Sequence, residues 1–130
     1  MKLLLDTHVW IWYLAGCERL PMRFRYIISS SNTEVWLSPI SVWETLVLAK
    51  KGKISLMPDP LRWVDKVLKR WPVKEAYLNI AVAIESQRLD LPHQDPADRF
   101  IAATALIYGL RLMTLDERLC SEAWLPTVEL

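Results

Sequence analysis

Apolar and polar positions along the 130 residues alternate between two periods. Leu3-Leu4-Leu5, between Lys2 and Asp6, is a short uninterrupted apolar run, the pattern of a strand covered on both faces. Thr7 to Ala15 carries Val9, Trp10, Trp12, Tyr13 and Leu14 ahead of Gly16 and predicts a helix closed by glycine. Pro21 to Ser29 predicts a second helix, and Glu34 to Leu37 a second strand. Three later helices announce their starts with a capping residue followed by proline: Ser38-Pro39, Asp59-Pro60 and Asp95-Pro96. The first runs to Lys51 before Gly52, and the third to Tyr108 before Gly109. The second places Leu61, Val64, Val67 and Leu68 on one face. Around Val73 there is room for a short strand at most, and Tyr77 to Leu89 predicts a helix with Leu78, Ala81, Val82 and Ile84 inward. Leu110 to Thr114 predicts a strand with Leu112 and Met113 buried, Asp116 to Ala123 a short helix, and Val128 a residue closing the sheet edge.

Short strands alternating with helices imply parallel pairing through right-handed crossovers. The expected fold is α/β: a three-layer α/β/α sandwich around a small central parallel sheet. The length suits one domain spanning residues 1–130, large enough to bury a core without a disulfide or structural metal. Seven tryptophans are many for this length, and most are expected in the core.

Charge adds one asymmetry. The net charge is +1, yet the segment Lys50 to Lys74 alone is +6, leaving −5 for the rest. Such a segment suits a polyanion and equally a solvated helix face whose long stems cover apolar surface. Cys17 and Cys120 lie far apart without Cys or His neighbours, which disfavours zinc and fits reduced thiols. Asp6 interrupts the first apolar run, so no secretory signal or membrane span is expected, and a cytoplasmic setting follows.

Ligands of open parallel sheets sit outside the carboxyl ends of the strands. Asp6 ends the first predicted strand and Asp116 follows the last, so both belong on that rim. Each acid also has an ordinary explanation. Asp6, Asp95 and Asp116 suit helix caps, Asp98 suits a first helical turn, and Glu44 is a mid-helix glutamate beside Val42, Trp43, Leu46 and Val47. Together, acids converging on one rim repel one another and call for a cation. Oxygen donors without His or Cys select Mg²⁺, or Mn²⁺, over Zn²⁺. His8 and His93 lack the spacing of a zinc motif, and a direct role for either is not expected.

The stretches LLLDTHVWIWYL, SPISVWETLVLAKKGKI and LPHQDPADRFIAATALIYGLRLMTLD resemble, in that order, the PIN-domain toxins of the VapC type. These are the ribonuclease halves of bacterial toxin–antitoxin pairs. The resemblance covers essentially the whole chain. It implies a Mg²⁺-dependent endoribonuclease whose acidic site is Asp6, Glu44, Asp98 and Asp116, with Asp6 and Asp98 as the principal metal ligands. Asp95 belongs to the same motif and is retained as a helix cap and secondary candidate, as are the hydroxyls of Thr7 and Thr114. Lys50, Lys51, Lys53 and Arg99 are candidates for contacts to the substrate backbone. Many relatives have a basic residue immediately before the last acid, where this chain has Leu115.

The resemblance further implies an antitoxin partner that docks in an apolar groove, for which Trp10, Trp12, Trp43 and Leu46 are candidates, plain core being the alternative for some. It also implies a homodimer. Two competing classes share the fold: a protein-binding module without catalysis, its acids serving as caps, and a nuclease acting on DNA.

Overall fold

The computed structural model describes residues 1–92 and 94–129; His93 lies outside the described residues. The elements follow the order β1 (Lys2–Leu5), α1 (Thr7–Ala15), α2 (Met22–Ser29), β2 (Glu34–Leu37), α3 (Pro39–Lys50), α4 (Pro60–Arg70), β3 (Lys74–Glu75), α5 (Ile80–Arg88), α6 (Pro96–Tyr108), β4 (Arg111–Met113) and α7 (Glu117–Cys120). The strands form one four-stranded sheet in the order β3-β2-β1-β4. Every pairing is parallel, with Leu3 opposite Val35 on one side and opposite Arg111 on the other. Beyond β4, Leu112 bridges Thr127, and Val128 N–H donates to the Leu112 carbonyl, so the C-terminal segment covers that edge as expected.

The apolar run of β1 divides as a pleated strand must. Leu4 packs with Ile101, Ala102 and Ala105 of α6 and Val82 of α5. Leu3 and Leu5 enter the opposite core with Val9 and Trp10 of α1, Phe24 and Ile28 of α2 and Val67 of α4. Two cores on two sides of one sheet make the three layers. Small side chains on α6 (Ala97, Ala102, Ala103, Ala105), all buried, leave room for this helix to lie close on the sheet.

The strong start signals hold. Ser38, Asp59 and Asp95 accept backbone N–H groups at the heads of α3, α4 and α6, each with proline just inside. Gly16 and Gly109 end α1 and α6 at φ 65° and 64°, a left-handed geometry that costs glycine little.

Three expectations are corrected. α5 begins at Ile80, because Asn79 caps it by accepting from Val82 N–H. Its inward stripe is therefore Val82, Ser86 and Leu89, whereas Leu78, Ala81 and Ile84 are exposed. On α4, Leu61 sits in the first turn and faces solvent, while Val64 and Val67 carry the buried stripe. Of the seven tryptophans only Trp10 is fully buried; the others are half-buried or exposed, with Trp43 at 57%.

Candidate functional site

The strand order sends the chain outward from β1 through β2 to β3, then back across to β4. That reversal lies between β1 and β4, and the crevice outside their carboxyl ends is where such sheets hold ligands. Asp6 leaves β1 there, its N–H donating to the Met113 carbonyl at 3.0 Å. An open recess of about 340 Å³ follows, lined by Asp6, Glu44, Asp95, Asp98 and Asp116 together with His8, Trp12, Arg19 and Arg118. All four predicted acids reach it from separate elements: the end of β1, α3, the first turn of α6 and the head of α7.

Asp6 is the N-cap of α1, so its ordinary explanation is correct as far as it goes. One carboxylate oxygen accepts the Thr7 N–H at 2.9 Å, and the other accepts the Thr114 hydroxyl at 2.6 Å. The Thr114 oxygen in turn accepts the Asp116 N–H at 3.1 Å. Thr114 thus fastens the two sides of the crevice together. Burial pushes the Asp6 carboxyl above the usual carboxylate range; the two threonine hydrogen bonds and His8 oppose this, and Asp116 adds to it.

Glu44 shows the same tendency. Burial pushes its carboxyl up, a hydrogen bond with Thr7 works against that, and the negative charges of Asp6 and Asp95 add to the rise. The Thr7 and Ser41 hydroxyls are themselves hydrogen-bonded at 3.0 Å, tying the start of α1 to α3. Ser41 and Thr45 are buried small residues on α3, which packs against α1, α4 and α6. That packing holds Glu44 at the recess.

Asp95 caps α6 by accepting the Asp98 N–H at 3.2 Å. Asp98, at the third position of the helix, is 9% exposed and is the only charged residue fully buried among those described. Asp116 caps α7 by accepting the Arg118 N–H at 2.9 Å. The Arg118 guanidinium then spans two acids, with Nη2 at 2.7 Å from Asp116 and 3.4 Å from Asp98. Its Nε adds a contact to Asp116 at 3.1 Å. Among the described residues no three acids, His or Cys stand close enough to ligate one ion in this arrangement.

The remaining candidates divide. Lys50, Lys51 and Lys53 are exposed at the C-terminal end of α3. Lys51 lies seven residues after Glu44, two turns along the same side, about 10 Å away at 1.5 Å per residue. Arg99 is otherwise engaged, which corrects its reading as a substrate contact. Its three nitrogens donate to the carbonyls of Ser86, Leu91 and Leu89 at 2.9, 3.0 and 3.1 Å, joining the end of α5 to α6. Residue typing alone missed Arg118 and Arg19. Arg19 stacks over the Trp12 ring at 4.6 Å on the recess wall. Only the spacing of Arg118, two residues after Asp116, offered a sequence signal. Of the aromatic candidates for a groove, Trp10 is core, Trp12 lines the recess, Trp43 is exposed and Leu46 half-buried. Separate apolar clefts exist: Leu37, Pro39, Val42, Leu68 and Val73 line one, and Tyr13, Leu14, Trp71 and Val73 line its neighbour.

No helix among the described residues is long and apolar enough to cross a membrane. The profile of the PIN domain family matches residues 3–125. Ribonuclease VapC22 of Mycobacterium tuberculosis is 34% identical over 121 residues, covering 91% of this chain and 89% of the relative. Among solved structures, VapBC2 of Rickettsia felis bound to a DNA fragment from their promoter superposes with a TM-score of 0.72 at 15% identity, covering 98% of both chains. VapBC-1 of nontypeable Haemophilus influenzae gives 0.69 at 18% identity over 99% of this chain and 98% of the other. The last two likenesses concern the fold alone; the family match and the sequence relative carry the assignment, and the chain belongs to the PIN-domain family, in its VapC-type branch.

Proposed function

We propose that this chain is a metal-dependent endoribonuclease, the toxin of a toxin–antitoxin pair, acting through Asp6, Glu44, Asp98 and Asp116. The observation that carries the proposal is convergence: four acids from four elements line one recess at the strand-order reversal, and burial raises two of them. The 34% identity to a ribonuclease supports the substrate class.

The donor set fits a hard divalent cation. Its atoms are carboxylate oxygens, and burial together with neighbouring negative charge disfavours the charged forms of Asp6 and Glu44, which a cation would reverse. Asp6 and Asp98 are the residues that would hold the ion, Mg²⁺ or Mn²⁺, with Asp116 and Glu44 beside them. When bound, the cation supplies Lewis-acid polarisation of a phosphoryl oxygen and activation of water.

The chain's own part is positioning and proton transfer. Thr114 and Thr7 fix the Asp6 carboxylate by its two oxygens, so it presents one orientation to the recess. Glu44 is the candidate to take the proton of the attacking water, because a raised carboxyl is the better base. The water oxygen bonds to phosphorus as the P–O3′ bond breaks, and the departing O3′ takes up a proton from solvent, leaving a 5′-phosphate and a 3′-hydroxyl. Lys50, Lys51 and Lys53 would contact the RNA backbone along the Glu44 side of α3, which positions a strand without reading its sequence.

For the antitoxin we propose the two neighbouring apolar clefts between α1, α3 and α4, which meet at Val73. For the homodimer we propose the exposed face of Tyr77, Ile80 and Ile84, since Ile80 and Ile84 share one side of α5. The test is induced expression of the wild type and of Asp98→Asn, followed by mapping of RNA 5′ ends. New monophosphorylated ends with the wild type alone are expected; identical end profiles in both strains would remove the ribonuclease assignment.

A further inference from the structure

Arg118 bridges two of the recess acids, joining Asp98 of α6 to Asp116 of α7. Three features define its position. It sits in the place a cation between these acids would take, with Nη2 shared between them at 3.4 and 2.7 Å. Its side chain is 58% exposed, whereas those of Asp98 and Asp116 are 12% and 24% exposed. It follows a chain position, Leu115, that carries no charge, so the local positive charge comes from one turn further along.

An exposed ion pair holds weakly, because water competes for both partners. A buried carboxylate such as Asp98 nevertheless needs a counter-charge. An exposed arginine therefore can satisfy Asp98 and Asp116 and still leave without a large cost. We infer that Arg118 is an exchangeable internal counter-ion: it neutralises Asp98 and Asp116 in the resting chain and is displaced from them by the divalent cation. Once displaced, the guanidinium remains tethered to α7 in the recess that Arg19 and Trp12 also line, where its charge suits a phosphate group. Arg118 is a positioning residue in this scheme, acting on the acids before it meets any substrate.

The inference rests on the metal-dependent reading above and is tested by binding, apart from turnover. Mg²⁺ and Mn²⁺ affinities of the full chain are measured by calorimetry for the wild type, Arg118→Gln and Arg118→Lys. Removing a competitor should tighten binding about three- to tenfold in Arg118→Gln, the factor one or two exposed ion pairs represent. Arg118→Lys should fall between, since lysine keeps the charge without the fork. In wild-type protein the Arg118 Nε–H signal, followed by nitrogen-resolved NMR, should shift on Mg²⁺ titration with the same midpoint as the calorimetry. Equal or weaker binding by Arg118→Gln, or an Nε–H signal unmoved at saturation, overturns the counter-ion and leaves the metal reading standing. Failure of all three proteins to bind either cation overturns both. Thermal melts of the variants in EDTA check folding; Arg118→Gln should still melt cooperatively, at a lower Tm because Asp98 has lost its counter-charge.

Discussion

Replacing Asp6 by Asn should stabilise the fold while removing the activity. Taking a carboxylate out of water costs several kcal/mol, here put at about 4 kcal/mol. The Thr7 N–H and the Thr114 hydroxyl repay part of it. Each bond is worth about 2 kcal/mol with a charged acceptor and about 1 kcal/mol with a neutral amide, whose Oδ1 keeps the Thr7 N–H while its Nδ2 donates to Thr114 Oγ, so neutralisation forfeits about 2 kcal/mol. The balance favours Asn by about 2 kcal/mol, and for 130 residues that is a rise in Tm of about 7 °C. The effect has a fixed direction with pH. Because burial raises the folded-state carboxyl, the native chain keeps a proton that the unfolded chain has released. Stability attributable to Asp6 therefore falls as pH rises from the ordinary carboxylate range through the raised value, and the full penalty persists above it. The gap between variant and wild type should open across that window and close in acid. The assay is a thermal melt in EDTA at several pH values, repeated with Mg²⁺, which should raise the wild-type Tm and leave that of Asp6→Asn unchanged. An Asp6→Asn chain that melts below the wild type in EDTA at neutral pH would refute the reasoning.

Arg99→Ala should destabilise by about 3 kcal/mol, because three carbonyls at the α5–α6 junction lose charged donors; urea denaturation with an unchanged midpoint would contradict this. Ile84→Glu should convert a dimer to a monomer in light-scattering chromatography while leaving the melting curve in place, since Ile84 is exposed on α5. Burial, with Asp116 and Asp6 nearby, raises the Cys120 thiol. Alkylation of Cys120 should therefore be slower than that of a free cysteine at pH 8 and should quicken when Mg²⁺ offsets those charges; mass spectrometry of the modified peptide gives both rates.

Much of this fold was legible because strong local signals agreed with the tertiary structure. Three capping residues followed by proline marked helix starts, and Leu3-Leu4-Leu5 had to be a strand buried on both sides. Because ligands of parallel sheets sit outside the carboxyl ends of the strands, Asp6 and Asp116 could be placed on one rim. The misses have physical causes. Tyr77 to Leu89 is apolar enough to read as one helix, yet Asn79 caps a shorter one, and the freed Tyr77, Ile80 and Ile84 remain on the surface. Tryptophan content predicted core, but a small sheet with short strands has room for only Trp10. Arg99 was a candidate for contact to the substrate backbone; one step along a helix turns a side chain by about 100° from that of Asp98, and Arg99 meets the end of α5. The spacing of Arg118 after Asp116 was visible in the sequence, but its link to Asp98 was not, because that partner is twenty residues away on another helix.

The most direct test of the central claim is cleavage by purified protein. Single-stranded RNA and single-stranded DNA of one sequence are incubated with the wild type and with Asp6→Asn, Glu44→Gln, Asp98→Asn and Asp116→Asn, in Mg²⁺ or EDTA. The account predicts RNA cleavage by the wild type in Mg²⁺ alone, with loss of at least about a hundredfold in Asp6→Asn and Asp98→Asn, a size typical of disturbing a catalytic metal site. Cleavage that persists in EDTA, or that survives in Asp98→Asn, would contradict it.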